Sequence, residues 1–229
     1  LTQEAAYNGL LKRERRIYHR QVAEALERLY PERIEEQLGL LAHHWERAEE
    51  PERAVVYLQR AGEQAASHYA NEEAVGYFSR ALALVPDAER TARYNLLLAR
   101  ERVHDRCGNR EAQQQDLAAL EAIAVALDDD WWLAEVALRQ ANYVHIVGGD
   151  DAGAAAAAQR AIHHARLAGD VAGEAEGYLL WGRATPRTER SKGVFLALSR
   201  LREAWRLSRA VQHLFFAMLT ISSLKSNPV

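Results

Sequence analysis

Asn71-Glu72-Glu73-Ala74-Val75-Gly76-Tyr77-Phe78-Ser79-Arg80-Ala81-Leu82 reads as one helix, and Pro86 closes it. Asn71 is expected to cap it, with Glu72 and Glu73 meeting the positive end of its dipole in the first turn. Ala74, Tyr77, Phe78, Ala81 and Leu82 fall at the three-to-four-residue spacing of a single buried face. The two alanines are small enough for another helix to approach closely, and the aromatic pair fills the space between layers.

The same grammar extends outward. Upstream, Pro51 stands where the first turn of a helix tolerates proline, after the break at Glu49-Glu50. The helix it opens carries Ala54, Val55, Leu58, Ala61, Gly62 and Ala65 on one face. Before it, Leu38, Leu41, Ala42 and Trp45 mark another helix. Earlier still, Ile17, Val22, Ala25, Leu26 and Leu29 are expected to form the inward face of a long helix stopped by Pro31. Thr2 is expected to cap a short opening helix with Ala6, Tyr7, Leu10 and Leu11.

Downstream a repeat emerges. Leu96, Ala137, Tyr178 and Leu219 recur at steps of 41, and Leu127, Leu167 and Leu207 at steps of 40. Helix breaks fall between them at Cys107-Gly108-Asn109, Val147-Gly148-Gly149-Asp150 and Leu167-Ala168-Gly169-Asp170. Glycine followed by Asn or Asp ends one helix and caps the next. A two-helix unit of about forty residues cannot bury its apolar face alone, so neighbours must stack. Alanines at 154–158 and 161 supply close crossings, and Trp132, Tyr178 and Trp181 fill gaps. The repeat extends over residues 35–184, and the expected fold is an all-α, right-handed αα superhelix.

Composition agrees and excludes other classes. The 229 residues include 48% hydrophobic and 27% charged side chains with only 5 prolines, so the chain is globular and rich in helix formers. With 29 basic against 32 acidic residues, the net charge of −3 gives no nucleic-acid footprint. A lone cysteine, Cys107, excludes an intrachain disulfide and cysteine metal clusters, and fits a cytoplasmic location. No apolar run approaches the ~20 residues needed to span a bilayer, so no membrane partner is expected. The chain opens at Leu1 directly on helical sequence and is expected to be part of something longer.

Residues 73–82 with Pro86, and Pro51-Glu52-Arg53-Ala54-Val55-Val56-Tyr57-Leu58-Gln59-Arg60-Ala61, resemble the second helix of a tetratricopeptide motif. Tyr178, Trp181 and Gly182, and more loosely Leu138, Ala141 and Asn142, resemble first-helix positions. The opening, Leu1-Thr2-Gln3-Glu4-Ala5-Ala6-Tyr7, Leu10 to Arg16 and His19 to Glu27, followed by Leu40-Leu41-Ala42-His43-His44-Trp45, is similar to a specific junction. In large bacterial signalling ATPases of the STAND type it joins the nucleotide-binding region to helical repeats. The resemblance covers residues 1–85. It is greatest to proteins that carry a class III adenylate/guanylate cyclase domain before the ATPase, with transcriptional regulators of the LuxR/MalT type next.

This resemblance implies a layout: 1–33 a junction from an N-terminal ATPase region, 34–87 the first repeat helices, 88–186 repeats of about forty residues, and 187–229 a degenerate or truncated last repeat. It also implies a regulatory arm without catalysis or cofactor, binding a protein or peptide in the concave groove and its own ATPase region. In such arrays first helices line the groove, which implies Asn95, Arg139, Tyr143 and Arg183 as partner-binding residues. The LuxR/MalT alternative implies an effector-sensing repeat domain instead.

Other constellations read more plainly. Three lysines, Lys12, Lys192 and Lys225, stand outside any phosphate-loop frame. His43-His44 and His163-His164 are adjacent pairs, about 100° apart on a helix, whereas a helical two-His metal site needs i, i+4 spacing. Asp128-Asp129-Asp130 lacks calcium-loop spacing and reads as a helix cap. The cluster Lys12, Arg13, Arg15, Arg16 and Arg20 is a solvated face, an acidic-partner or nucleic-acid surface, or a contact to the ATPase region. Cys107 is expected at a helix end, exposed. Leu214, Phe215, Phe216 and Leu219 leave an open apolar end, which implies further repeats or self-association.

Overall fold

The computed structural model describes residues 11–185 and 187–207, all of them helix, turn or short connection. They divide between two compact units, Leu1–Asp116 and Leu117–Val229. The described part of the first unit holds α1 (Lys12–Leu29), a 3-10 segment (Pro31–Gln37), α2 (Leu38–Arg47), α3 (Pro51–Ser67), α4 (Asn71–Leu84) and α5 (Arg90–Cys107). The unit boundary falls inside α6 (Arg110–Leu127). The second unit continues with α7 (Asp130–Val147), α8 (Asp151–Leu167), α9 (Val171–Ala184) and α10 (Arg187–Leu207).

Each unit is built by neighbours in sequence packing as neighbours in space. In the first, α1 packs on α2, α2 on α3, α3 on α4 and α4 on α5; in the second, α7 packs on α8, α8 on α9 and α9 on α10. Helices two apart also touch, α3 with α5 and α7 with α9. This is the nearest-neighbour construction of a helical repeat.

The expected core is largely where the periodicity puts it. Leu38, Leu41, Ala42 and Trp45 bury one face of α2, and Ala54, Leu58, Ala61, Ala74, Phe78 and Ala81 fill the α3–α4 crossing. Leu96, Ala137 and Tyr178 are all buried, so the 41-residue step marks the core. The 40-residue step marks something else: Leu127 and Leu167 are the last residues of α6 and α8, and Leu207 lies in α10 at the limit of the described residues. Leu167 is 62% exposed, so that repeat is one of helix ends. Leu219, the Thr2-capped helix and the apolar end at 214–219 lie outside the described residues.

Two expectations are corrected. The inward face of α1 is not Ile17, Val22 and Leu29, which are exposed. The helix turns the other way and presents Arg15, Arg16, His19, Ala23, Leu26 and Glu27, with Ala23 fully buried. The reason is local: Ala23 permits close approach to α2, Glu27 serves one donor on α2 and two on α3, and the cations reach acidic groups beyond α2. Asn71 is not a cap but the first residue of α4; Ala70 holds the cap position without a side-chain bond. The Asn71 amide oxygen instead accepts from Arg106 Nη2 at 3.2 Å.

Turn chemistry explains the connections. Gly108 and Gly169 end α5 and α8 in the left-handed region, at φ 68° and 69°. Glu49, Tyr69 and Asp128 take the same conformation at φ 57°, 60° and 52°, without glycine's freedom. Asp129, Asp150 and Asp170 then cap the following helices, accepting from the backbone N–H of Trp131, Gly153 and Gly173.

The α9–α10 crossing is made by glycine. A Cβ on Gly193 would stand 2.7 Å from Gly182 Cα and 2.8 Å from the Tyr178 carbonyl oxygen. Both neighbours are backbone and cannot swing aside. In Gly193→Ala the overpacking, about 1–3 kcal/mol, is expected to exceed the ~1 kcal/mol that alanine gains in a helix. The melting temperature should fall, and α10 amides should be the first to lose protection from hydrogen exchange. An unchanged melting temperature would rule this crossing out.

Candidate functional site

The four residues implied as partner-binding lie on α5, α7 and α9. Asn95 is exposed on α5 in the first unit, flanked by buried Tyr94 and Leu96. The other three lie in the second unit, on α7 and α9, which touch each other. Arg139 is half-buried, and its Nε donates to Glu135 Oε1 at 3.0 Å, one turn back along α7. Tyr143 is half-buried one turn further on, and Arg183 is exposed near the end of α9.

Glu176, which the sequence reading passed over, ties these together. Its side chain reaches water, yet the helices around it crowd the carboxyl. That desolvation raises its pKa above the usual carboxylate value, reinforced by the nearby charges of Glu135 and Asp170. Arg139 and Arg183 oppose the rise, so both guanidinium groups lie within electrostatic reach of this one carboxylate. A row of alternating charge therefore runs over α7 and α9, from Glu135 and Arg139 through Glu176 to Arg183. The pair at 135 and 139 and the pair at 176 and 183 share helical faces, a signal present in the sequence.

Buried chemistry sits elsewhere. In the first unit Arg100, 22% exposed, sends Nε and Nη2 to the two oxygens of Asp116 at 3.0 and 2.6 Å, and Nη1 to Ser79 Oγ at 2.8 Å. Gln113 Nε2 donates to Glu101 Oε1 at 2.8 Å beside them, with both residues 1% exposed. Burial lowers the pKa of His104 there against the opposing pull of Asp116, whose Oδ2 is 3.8 Å from His104 Nε2. The network links α4, α5 and α6. Periodicity looks for apolar faces and could not find it.

A second polar node holds α1. Glu27 accepts from Trp45 Nε1 at 3.1 Å, Arg53 Nη1 at 3.2 Å and Tyr57 Oη at 2.8 Å. Burial, then the hydrogen bond to Glu27, pushes the Tyr57 hydroxyl up to about 12, so it stays a donor. An open recess of about 520 Å³ lies beside it, lined by Glu27, Ile34, Glu52, Arg53, Val56 and Tyr57.

The basic cluster of α1 is largely spent within the chain. Lys12 and Arg16 bind Glu49, Lys12 at 3.2 Å, and Arg20 binds Glu50. Cys107 is exposed at the end of α5, as expected. His164 Nδ1 meets Asp130 Oδ1 at 2.8 Å, while His43 and His44 meet His19. Among the described residues no group of three or more His, Cys, Asp or Glu is arranged to hold a metal ion, and no helix is long and apolar enough to cross a membrane. No protein-family model and no curated protein matches the chain.

Proposed function

We propose that this chain is a non-catalytic repeat module that binds a protein or peptide on the face of α7 and α9. The observation that carries the reading is the row Glu135, Arg139, Glu176 and Arg183, half-buried on α7 and exposed on α9, with Tyr143 beside it, on two helices in direct contact. Alternating charge with a tyrosine gives orientation and contact area together, and Tyr and Arg are the types that dominate interface energetics. A carboxylate already partly desolvated loses less hydration when a partner covers it.

The resemblance of the first 85 residues supports a narrower version. The chain acts in the cytoplasm as the tetratricopeptide arm of a STAND-type ATPase, most similar to those linked to a class III cyclase. It receives a protein signal and passes it to the nucleotide-binding region through the junction at residues 1–33.

The test is capture of partners on the immobilised chain, including the ATPase region encoded beside it. A Tyr143→Ala/Arg183→Glu variant is expected to bind at least about tenfold more weakly, since one hot spot is worth 2 kcal/mol or more. Arg202→Glu, on α10, is the charge-matched control and should bind normally. Equal capture by wild type and variant, or no partner at all, would overturn the assignment.

A further inference from the structure

We propose that His19, His43 and His44 form a proton-operated latch, holding α1 on α2 when the rings are neutral and releasing it when they are protonated. The three imidazoles form one cluster, with ring centroids 5.7 Å (19–43), 5.0 Å (19–44) and 5.5 Å (43–44) apart. His19 Nδ1 and His44 Nδ1 stand 2.9 Å apart, bridging the two helices. A nitrogen-to-nitrogen hydrogen bond requires one ring to offer a lone pair, so the bond cannot survive with both rings charged.

The surroundings make protonation worse. Along α1, Arg15 and Arg16 lie one turn before His19, and Arg20 follows it. The Nε of Arg16 is buried without a hydrogen bond. Along α2, Arg47 lies near enough to oppose a proton on His19. Acidic groups are present, but the connection after α2 gives Glu49 to Lys12 and Arg16 and Glu50 to Arg20. Glu27 is held by Trp45 of α2 and by Arg53 and Tyr57 of α3. In the 3-10 segment, Glu36 pairs with Arg33, and Glu35 with Arg60 of α3.

The latch matters because little else holds α1 by apolar contact. Ala23 is its only fully buried residue and Ala25 and Leu26 are half-buried, while Ile17, Tyr18, Val22 and Leu29 face solvent. An interface made of polar groups responds to their charge. Burial, then the neighbouring rings, lowers the pKa of His19 and His44 when α1 is docked. The undocked state therefore binds more protons. Docking is at full strength above the ordinary histidine value, about 6.5, and weakens as pH falls from there toward the lowered values.

Hydrogen exchange of the whole chain, in buffer containing a chelator, tests this from about pH 7.5 to about pH 5. After correction for intrinsic rates, protection of α1 amides should fall by about tenfold for each pKa unit that docking holds down a ring. Protection of α3 should fall far less than that of α1. His19→Gln/His44→Gln keeps hydrogen-bonding groups without titration and should flatten the response. If that variant fails to dock at the higher pH, His43→Gln, at an exposed position, should dock normally and show a smaller fall. An α1 equally protected at both ends of the range, or an unreduced fall in the variants, would overturn the latch.

Discussion

Asp116→Ala is expected to cost the first unit about 3–5 kcal/mol, the range found when one partner of a buried ion pair is removed. Asp116 is 3% exposed and takes two hydrogen bonds from Arg100, leaving that guanidinium only Ser79 Oγ in place of a carboxylate. Urea denaturation of the variant, followed by circular dichroism, measures the loss. Asp116→Asn should cost less, since an amide oxygen still accepts one bond. Arg100→Met/Asp116→Leu should recover most of the loss, because a buried pair replaced by apolar groups of similar volume is often neutral or better. A second readout checks the cause. Asp116 raises the pKa of His104 against burial, so its removal should move His104 further down. An Asp116→Ala variant within about 1 kcal/mol of wild type would show that water already solvates Arg100.

That network also marks where sequence reading stops. Helix existence, helix order and the repeat were legible because each rests on local rules: Pro51 at a first turn, Gly-Asp at a joint, alanine at a crossing. Leu38, Leu41, Ala42 and Trp45 were readable for the same reason, being one stripe on a short helix. Arg100, Glu101, Gln113 and Asp116 look like a solvated charge pattern on paper, and only the meeting of three helices puts them inside. The breaks after α2 and α3 were legible from Pro51 and Asn71, but their left-handed turns were not, because Glu49 and Tyr69 do there what glycine does elsewhere. Helix α1 was misread for a further reason. It has two candidate faces, and the more apolar one is turned outward, because the neighbouring helix offers Trp45 and the loop offers Glu49 and Glu50. Of the candidate site, Arg139, Tyr143 and Arg183 came from the resemblance. Glu176 needed the structure, since its environment is set by α7 as much as by α9.

Trp45→Ala is the second large effect, about 3–5 kcal/mol for an emptied aromatic site, and it separates packing from polar docking. Trp45 is 1% exposed, its indole N–H donates to Glu27, and the Arg53 guanidinium lies 4.4 Å from the ring centroid. Alanine removes the filler of the α2 layer and one of three donors to the carboxylate that anchors α1. Trp45→Phe keeps most of the ring volume and removes only the donor, so it should cost about 1–3 kcal/mol, the penalty for one lost partner of a charged acceptor. The two variants should differ in where they act. Phenylalanine should lower the protection of α1 amides while leaving α3 and α4 near wild type, whereas alanine should lower all of them together. Equal protection patterns in the two variants would mean that α1 is held by the packed ring and not by Glu27. The histidine cluster would then be a minor contributor to a joint that hydrophobic burial already secures.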